Sequence, residues 1–280
     1  MKVARTIPTM KEIRGELPEP VGFVPTMGYL HEGHLSLVRR ARGENRSVVV
    51  SIFVNPTQFG PQEDFETYPR DTERDLTLLR REGIDVVFVP EAEEMYPADF
   101  NSWVVVEGIT EMLEGASRPG HFRGVATIVA KLLNIVRPNS AYFGQKDAQQ
   151  ALVIKKMVAD LNMIPEIIVA PTVREPDGLA VSSRNVRLDP EERQAALVLW
   201  KSLNLAQQLW SDGERSTDQI RRQMIALIEG EPRALIDYVS ITDAESLREL
   251  DKMDCPALVC LAVWIGKTRL IDNVILDGAS

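Results

Sequence analysis

Two rhythms of apolar and polar positions run through the N-terminal part of the chain. Short, almost continuous apolar runs rich in β-branched residues occur at 21–24, 48–54, 84–89, 103–106, 141–143 and 167–169, and have the length and composition of strands. Continuous rather than alternating apolarity predicts strands covered on both faces, as in a parallel sheet. Between them lie stretches in which apolar residues recur every three to four positions, predicting helices over about 34–42, 71–81, 124–136 and 147–161. The second of these has an acidic first turn and a stop at Gly83, and the third ends at Arg137-Pro138.

After about Arg174 the rhythm changes. Asp189 is placed as the N-cap of a long helix with Pro190 at its first position, and a second helix is predicted over 217–228. Strands follow at 236–241, 257–264 and 268–276, the last two joined at Gly266-Lys267 as a hairpin. The expected fold is therefore α/β. Residues 1–174 form a Rossmann-like, doubly wound parallel sheet, and residues 175–280 a smaller C-terminal α+β domain, joined by the segment 174–189.

Composition narrows the function classes. At 280 residues, 44% hydrophobic and 26% charged, the chain has an ordinary globular make-up. No apolar run approaches the ~20 residues of a membrane helix, and the first residues lack the apolar core of a secretory signal. A net charge of −9 argues against a general nucleic-acid binder, but leaves room for a small anion held by a local cluster of cations. The two cysteines, Cys255 and Cys260, imply no disulfide framework. A cytoplasmic enzyme acting on small molecules fits these features.

All three histidines fall in two glycine-containing motifs, His31-Glu32-Gly33-His34 and Gly120-His121-Phe122-Arg123-Gly124. The first follows a strand-like run and opens a helical one, a place where unpaired N–H groups and the helix dipole favour anions. Gly28 permits a sharp turn and Gly33 a close approach to the backbone, while His31 and His34, three apart, share a face and can donate to a phosphate chain. The alternatives are a capped turn with two structural histidines, or a zinc site, against which the spacing of three rather than four residues counts. Asn55 and Gln58 follow the second long strand, where neutral donor–acceptor groups suit hydroxyl and carboxylate recognition, or merely build a polar turn. Lys146 opens the helix after a strand and Gly144, with Gln150 one turn on; it is a phosphate ligand or a solvated lysine. Ser182, Ser183 and Arg184 form a clamp for polyphosphate in a mobile linker, or a polar hinge.

Taken in order, these residues resemble the pantothenate synthetase (pantoate–β-alanine ligase) family. The likeness is carried by Pro25-Thr26-Met27-Gly28 with His31, Gly33 and His34, and by Phe53-Val54-Asn55-Pro56 with Gln58-Phe59. It continues through Asp64, Tyr68-Pro69-Arg70, Arg118-Pro119-Gly120-His121-Phe122-Arg123-Gly124-Val125, Phe143-Gly144 with Lys146-Asp147 and Gln149-Gln150, and Ser182-Ser183-Arg184-Asn185. The resemblance implies ATP-dependent condensation of (R)-pantoate with β-alanine through a pantoyl adenylate, releasing AMP and pyrophosphate. It further implies ATP contacts from Met27, Gly28, Tyr29, Leu30, His31, Glu32, Gly33 and His34, with His34 as proton donor. Gly144, Gln145, Lys146 and Asp147 would touch the nucleotide, Val173 the adenine, and Val181, Ser182, Ser183 and Arg184 the triphosphate. Gln58 and Gln150 would hold pantoate, Gln58 also β-alanine, with Asn55 nearby. His31 and Lys146 would join His34 in catalysis, Mg²⁺ would accompany ATP, and the family implies a homodimer. Asp75 is a possible outer contact, and His121 and Arg123 either shape the site or, for His121, serve structure alone. A metal-dependent hydrolase, a non-catalytic nucleotide sensor and a ligase for another acid or amine are the rival readings.

Overall fold

Five of the six strand-like runs of the N-terminal part pair side by side, all parallel, in a computed structural model that describes residues 1–61 and 63–277. The chain divides into two compact units, residues 1–145 with 149–171, and residues 146–148 with 172–280. In the first unit the order along the chain is β1 (Lys2–Ala4), α1 (Ile7–Glu16), β2 (Val21–Thr26), α2 (Glu32–Glu44), β3 (Ser47–Ile52), α3 (Thr72–Arg81) and β4 (Val86–Phe88). Then come α4 (Ala92–Met95), α5 (Glu114–Ser117), α6 (His121–Val136), β5 (Ser140–Gly144), α7 (Ala148–Asp160) and β6 (Glu166–Ala170). The sheet order is β1-β4-β3-β2-β5-β6. The chain direction across the sheet reverses between β2 and β5, which is where open α/β sheets bind ligands, at the carboxyl ends of the strands.

All six residues of β3 are buried, as its continuous apolarity requires. Alternation within the strands sorts side chains between two layers: Phe23 and Val49 pack in a core with α6 residues such as Val129 and Leu133, while Val24, Val48 and Val50 pack with Leu37 and Val38 of α2 and Leu79 of α3. Most of α6 is buried, including His121, Phe122 and Gly124 in its first turn.

The second unit holds α8 (Pro190–Ala195), α9 (Leu197–Ser211), α10 (Thr217–Glu229) and an antiparallel sheet of β7 (Ala234–Asp243), β8 (Ala257–Ile265) and β9 (Thr268–Leu276). Its core sets Leu199 and Leu203 of α9 and Ile220 and Met224 of α10 against Val259, Leu261 and Val263 of β8. The turn between β8 and β9 has Gly266 at φ +55°, the hairpin expected there. Among the described residues no helix is long and apolar enough to cross a membrane.

Four details depart from the sequence expectations. Residues 103–106 form no strand; they run without a sheet partner, Trp103 and Val105 outward and Val104 and Val106 packed on the core. The helix begun at Asp189 breaks at Ala196, so α8 and α9 are separate helices. The helix expected from Asp147 opens as a 3₁₀ turn, Gln145–Asp147, before α7. β1 and α1 carry too short or too polar a pattern to be read as elements, and are held by pairing of β1 with β4 and by Met10 in the core.

Candidate active site

The turn from β2 into α2 is built around a buried carboxylate. Asp75, in the first turn of α3, is 1% exposed, and its oxygens accept the backbone N–H groups of Tyr29 at 2.6 Å and Leu30 at 2.8 Å. Burial pushes its pKa up, opposed by those two N–H groups and by Arg74. The turn needs the support: Gly28 has φ +83° and Tyr29 has φ +50°, a region that non-glycine residues rarely occupy. Gly28 N–H goes to Thr26 Oγ1 at 3.1 Å, and His31 N–H to His34 Nδ1 at 3.4 Å. The N–H groups from Gly28 to His31 are thus all engaged within the protein. Two of them are taken by the buried Asp75, an anion from within the chain.

His31 is the N-cap of α2 rather than a residue within it, and its ring stacks on that of His34, centroids 4.0 Å apart. Gly33 faces this pair: a Cβ there would lie 3.0 Å from the His31 ring, so its small size serves the histidines directly. Glu32 points outward and pairs with Arg39.

The loop after β3 meets the same turn. Gln58 Nε2 donates to Met27 Sδ at 3.2 Å, and Gln58 Oε1 accepts from Asn55 Nδ2 at 3.1 Å. Asn55 also donates to Gly124 O at 3.2 Å, and its Oδ1 accepts from Thr57 Oγ1 at 3.0 Å and Tyr96 Oη at 2.9 Å. Asn55 and Gln58 are buried, so each amide is held in place by partners. The structure therefore brings Met27, Asn55 and Gln58 together, as well as His31 with His34. Gly144 and Gln145 lie at the carboxyl end of β5, the strand beside β2, and Gln150 is half-buried in the first turn of α7.

His121 sits under this loop. It is 8% exposed, with Nδ1 2.8 Å from Gln58 O and Nε2 3.1 Å from Arg118 Nη1. Arg118 in turn grips Glu63 through Nε at 2.8 Å and Nη2 at 2.6 Å. Burial, reinforced by Arg118, lowers the His121 pKa to about 4. Arg123 is exposed and lies over the Trp103 ring at 4.6 Å, apart from this network. Gln149, quoted above only as part of a motif, is buried and ties the segment before α5 through Ile109 O, Met112 O and Glu114 N–H. Its signal in sequence was its place beside Gln150; nothing in spacing separates the buried glutamine from the half-buried one.

In the second unit Lys146 is half-buried and its carbonyl accepts from Asn273 Nδ2 at 2.9 Å, while Asp147 is exposed. The segment from Val173 to Val181, at the start of the joining segment, is a hairpin. Val181 N–H bonds Val173 O at 3.0 Å, Arg174 pairs with Ala180, and the Arg174 guanidinium holds the buried Asp272 at 2.6 Å while stacking 3.8 Å above Trp200. Such pairing over so few residues costs little loop entropy, which is why it wins over a free linker. Ser182 accepts from Arg184 N–H at 3.3 Å and so caps the 3₁₀ turn Ser183–Arg187; Ser183 is buried and Arg184 half-buried.

A sequence profile of the family described as pantoate-beta-alanine ligase matches residues 2–275. The chain belongs to the pantoate–β-alanine ligase family. It is accordingly a ligase. The pantothenate synthetase of Thermotoga petrophila is 58% identical over 279 residues, covering 99% of this chain and all of the relative. The crystal structure of the pantothenate synthetase from Thermus thermophilus superposes with a TM-score of 0.94 at 48% identity, covering 98% of this chain and 99% of the other. That of the ligase from Francisella tularensis, complexed with beta-gamma ATP and beta-alanine, superposes at 0.82 with 37% identity, over 98% and 97% of the two chains.

Proposed function

We propose that this ligase joins pantoate to β-alanine using ATP, through a pantoyl adenylate, and releases AMP and pyrophosphate. The observation that carries the reading is the meeting of Met27 with Gln58 at the ends of adjacent strands, in a chain matched to the ligase family over residues 2–275. The Francisella relative's complex supports ATP and β-alanine as substrates. An amine cannot displace oxide from a carboxylate directly, because oxide is too poor a leaving group. One pantoate carboxylate oxygen attacks the α-phosphorus, and the bond from that phosphorus to pyrophosphate breaks. The amine of β-alanine then attacks the acyl carbon, AMP departs with the bonding pair, and the amine loses a proton.

Residues 27–34, 144–147, Val173 and 181–184 are assigned to ATP, and Gln58, Gln150 and Asn55 to pantoate, Gln58 also to β-alanine. Acceptance of the His31 N–H by His34 Nδ1 favours the tautomer with the proton on Nε2. His34 is thus the donor, with His31 and Lys146, to charge building on the phosphates. Loss of one such donor costs on the order of 100- to 1,000-fold in rate. Among the described residues no group of three or more His, Cys, Asp or Glu is arranged around a metal, and both oxygens of Asp75 are engaged by backbone. Mg²⁺ is therefore assigned to the triphosphate and water rather than to a protein cage.

Exchange of labelled pyrophosphate into ATP tests the reading. Exchange with pantoate alone, and AMP release only when β-alanine is added, are expected. Exchange that requires the amine would exclude a free-standing adenylate. The homodimer is proposed to form through residues 101–107, where Trp103 and Val105 are 41% and 61% exposed on a segment without a sheet partner. Val105→Lys should convert the dimer to a monomer in sedimentation velocity, and an unchanged sedimentation coefficient would move the interface elsewhere.

A further inference from the structure

We propose that His121 is a positioning residue for Gln58: a neutral imidazole, protonated on Nδ1, that fixes the Gln58 backbone and so the reach of its side chain toward pantoate. The inference rests on the assignment of Gln58 to pantoate made above.

The tautomer follows from the partners. Gln58 O, 2.8 Å from Nδ1, can only accept, so Nδ1 carries the hydrogen. Arg118 Nη1, 3.1 Å from Nε2, can only donate, so Nε2 must be a lone pair. An imidazolium would set an N–H against the guanidinium. The charged groups around the ring are Arg118, Glu63 and Glu114, and burial with Arg118 outweighs the two carboxylates. His121 is therefore unsuited to move a proton during the reaction, and its motif is explained by hydrogen bonding.

The ring acts on one point. The Gln58 carbonyl also takes a longer bond from Arg118 Nη2, at 3.4 Å, and Arg118 is itself held by Glu63. On the other side of the loop Asn55 fixes the Gln58 amide. With its carbonyl and its amide both held, Gln58 has one orientation to present, and the entropy of choosing it is met before substrate arrives.

Two substitutions separate the ring's contacts. In His121→Asn the side-chain amide occupies the place of Nδ1 and keeps a donor for Gln58 O, while losing Arg118. In His121→Gln the amide lies farther out, near Nε2, keeping Arg118 and losing Gln58. The expected result is a KM for pantoate within about threefold of the parent for His121→Asn and roughly tenfold higher for His121→Gln. The KM for ATP stays within about twofold in both, since the nucleotide contacts are untouched. Equal effects of the two variants, or an equal rise in both KM values, would overturn the proposal, because a merely structural ring would behave so. Gln58→Ala is the control: if it leaves the pantoate KM unchanged, the assignment of Gln58 fails and this inference with it. If it raises that KM while His121→Gln does not, only the inference fails. Independently of folding in the variants, ¹⁵N NMR of the parent at neutral pH should show His121 protonated on Nδ1. An Nε2-protonated or doubly protonated ring would sink the idea.

Discussion

Asp75 shows how one residue can decide whether a turn holds. Its carboxylate faces two backbone N–H groups, at a turn where Gly28 and Tyr29 both have positive φ. Removing it in Asp75→Ala leaves both N–H groups buried, at about 1–3 kcal/mol each. Asp75→Asn is subtler, since its NH₂ must oppose one of the two donors. We expect Asp75→Asn to fold, to raise the KM for ATP roughly tenfold and to leave the KM for pantoate nearly unchanged. Steady-state kinetics checks this, and an unaltered ATP KM would show that the turn holds its shape without the charge. The raised pKa gives the sign of the stability effect. A carboxyl whose folded pKa lies above its unfolded value adds stability when protonated and gives it up as pH rises through the folded pKa. The carboxyl is buried at a cost in desolvation, as expected of a residue that holds a turn rather than fills the core.

At the scale of elements, α6 shapes the loop that follows β3. A Cβ on Gly124 would lie 2.4 Å from Thr57 O and 2.7 Å from Gln58 Cα, so the helix's first turn rests directly on that loop's backbone. Gly124→Ala gains about 1 kcal/mol of helix propensity yet must push the loop away, at about 1–3 kcal/mol. The net expectation is a lower melting temperature with a raised KM for pantoate; a stabilised variant with parental KM would contradict this contact. The helix α6 was legible from its period, but not its start: His121 and Phe122 precede the run from Gly124, and only tertiary burial shows that they belong to it. Apart from β1, the strands of the parallel sheet were legible as apolar runs, unbroken in β3 because it is buried throughout. The same rule misread residues 103–106, whose apolar run has no strand beside it. Of the candidate site, what was legible is that His31 and His34 stand at the opening of the helix after β2, and Asn55 and Gln58 in the loop after β3. The engagement of the N–H groups at 28–31 was not, because the anion that takes two of them lies on α3, far along the chain.

At the scale of the whole molecule, charge titration is unevenly divided. All three histidines lie in the first unit, and the second has none. Burial lowers the pKa of His121 from 6.5 to about 4. Below pH 6.5 the unfolded chain binds a proton at this ring that the folded chain refuses, so stability falls as pH drops from 6.5 toward 4. The full window amounts to roughly 3 kcal/mol. Asp75, with its raised pKa, acts in the opposite sense in the acid range, so the parent alone cannot isolate the histidine. The difference between the parent and His121→Asn can. Between pH 6.5 and 4.5 the parent should lose more stability than the variant, with a slope differing by nearly one proton. The loss should fall on the first unit. Trp103 lies there, whereas Trp200, Trp210 and Trp264 lie in the second, so replacing those three by Phe lets fluorescence follow the first unit alone. Identical pH slopes for parent and variant in that background would mean that His121 takes up its proton in the folded state as readily as in the unfolded one. The neutral strut beneath Gln58 would then be lost as well.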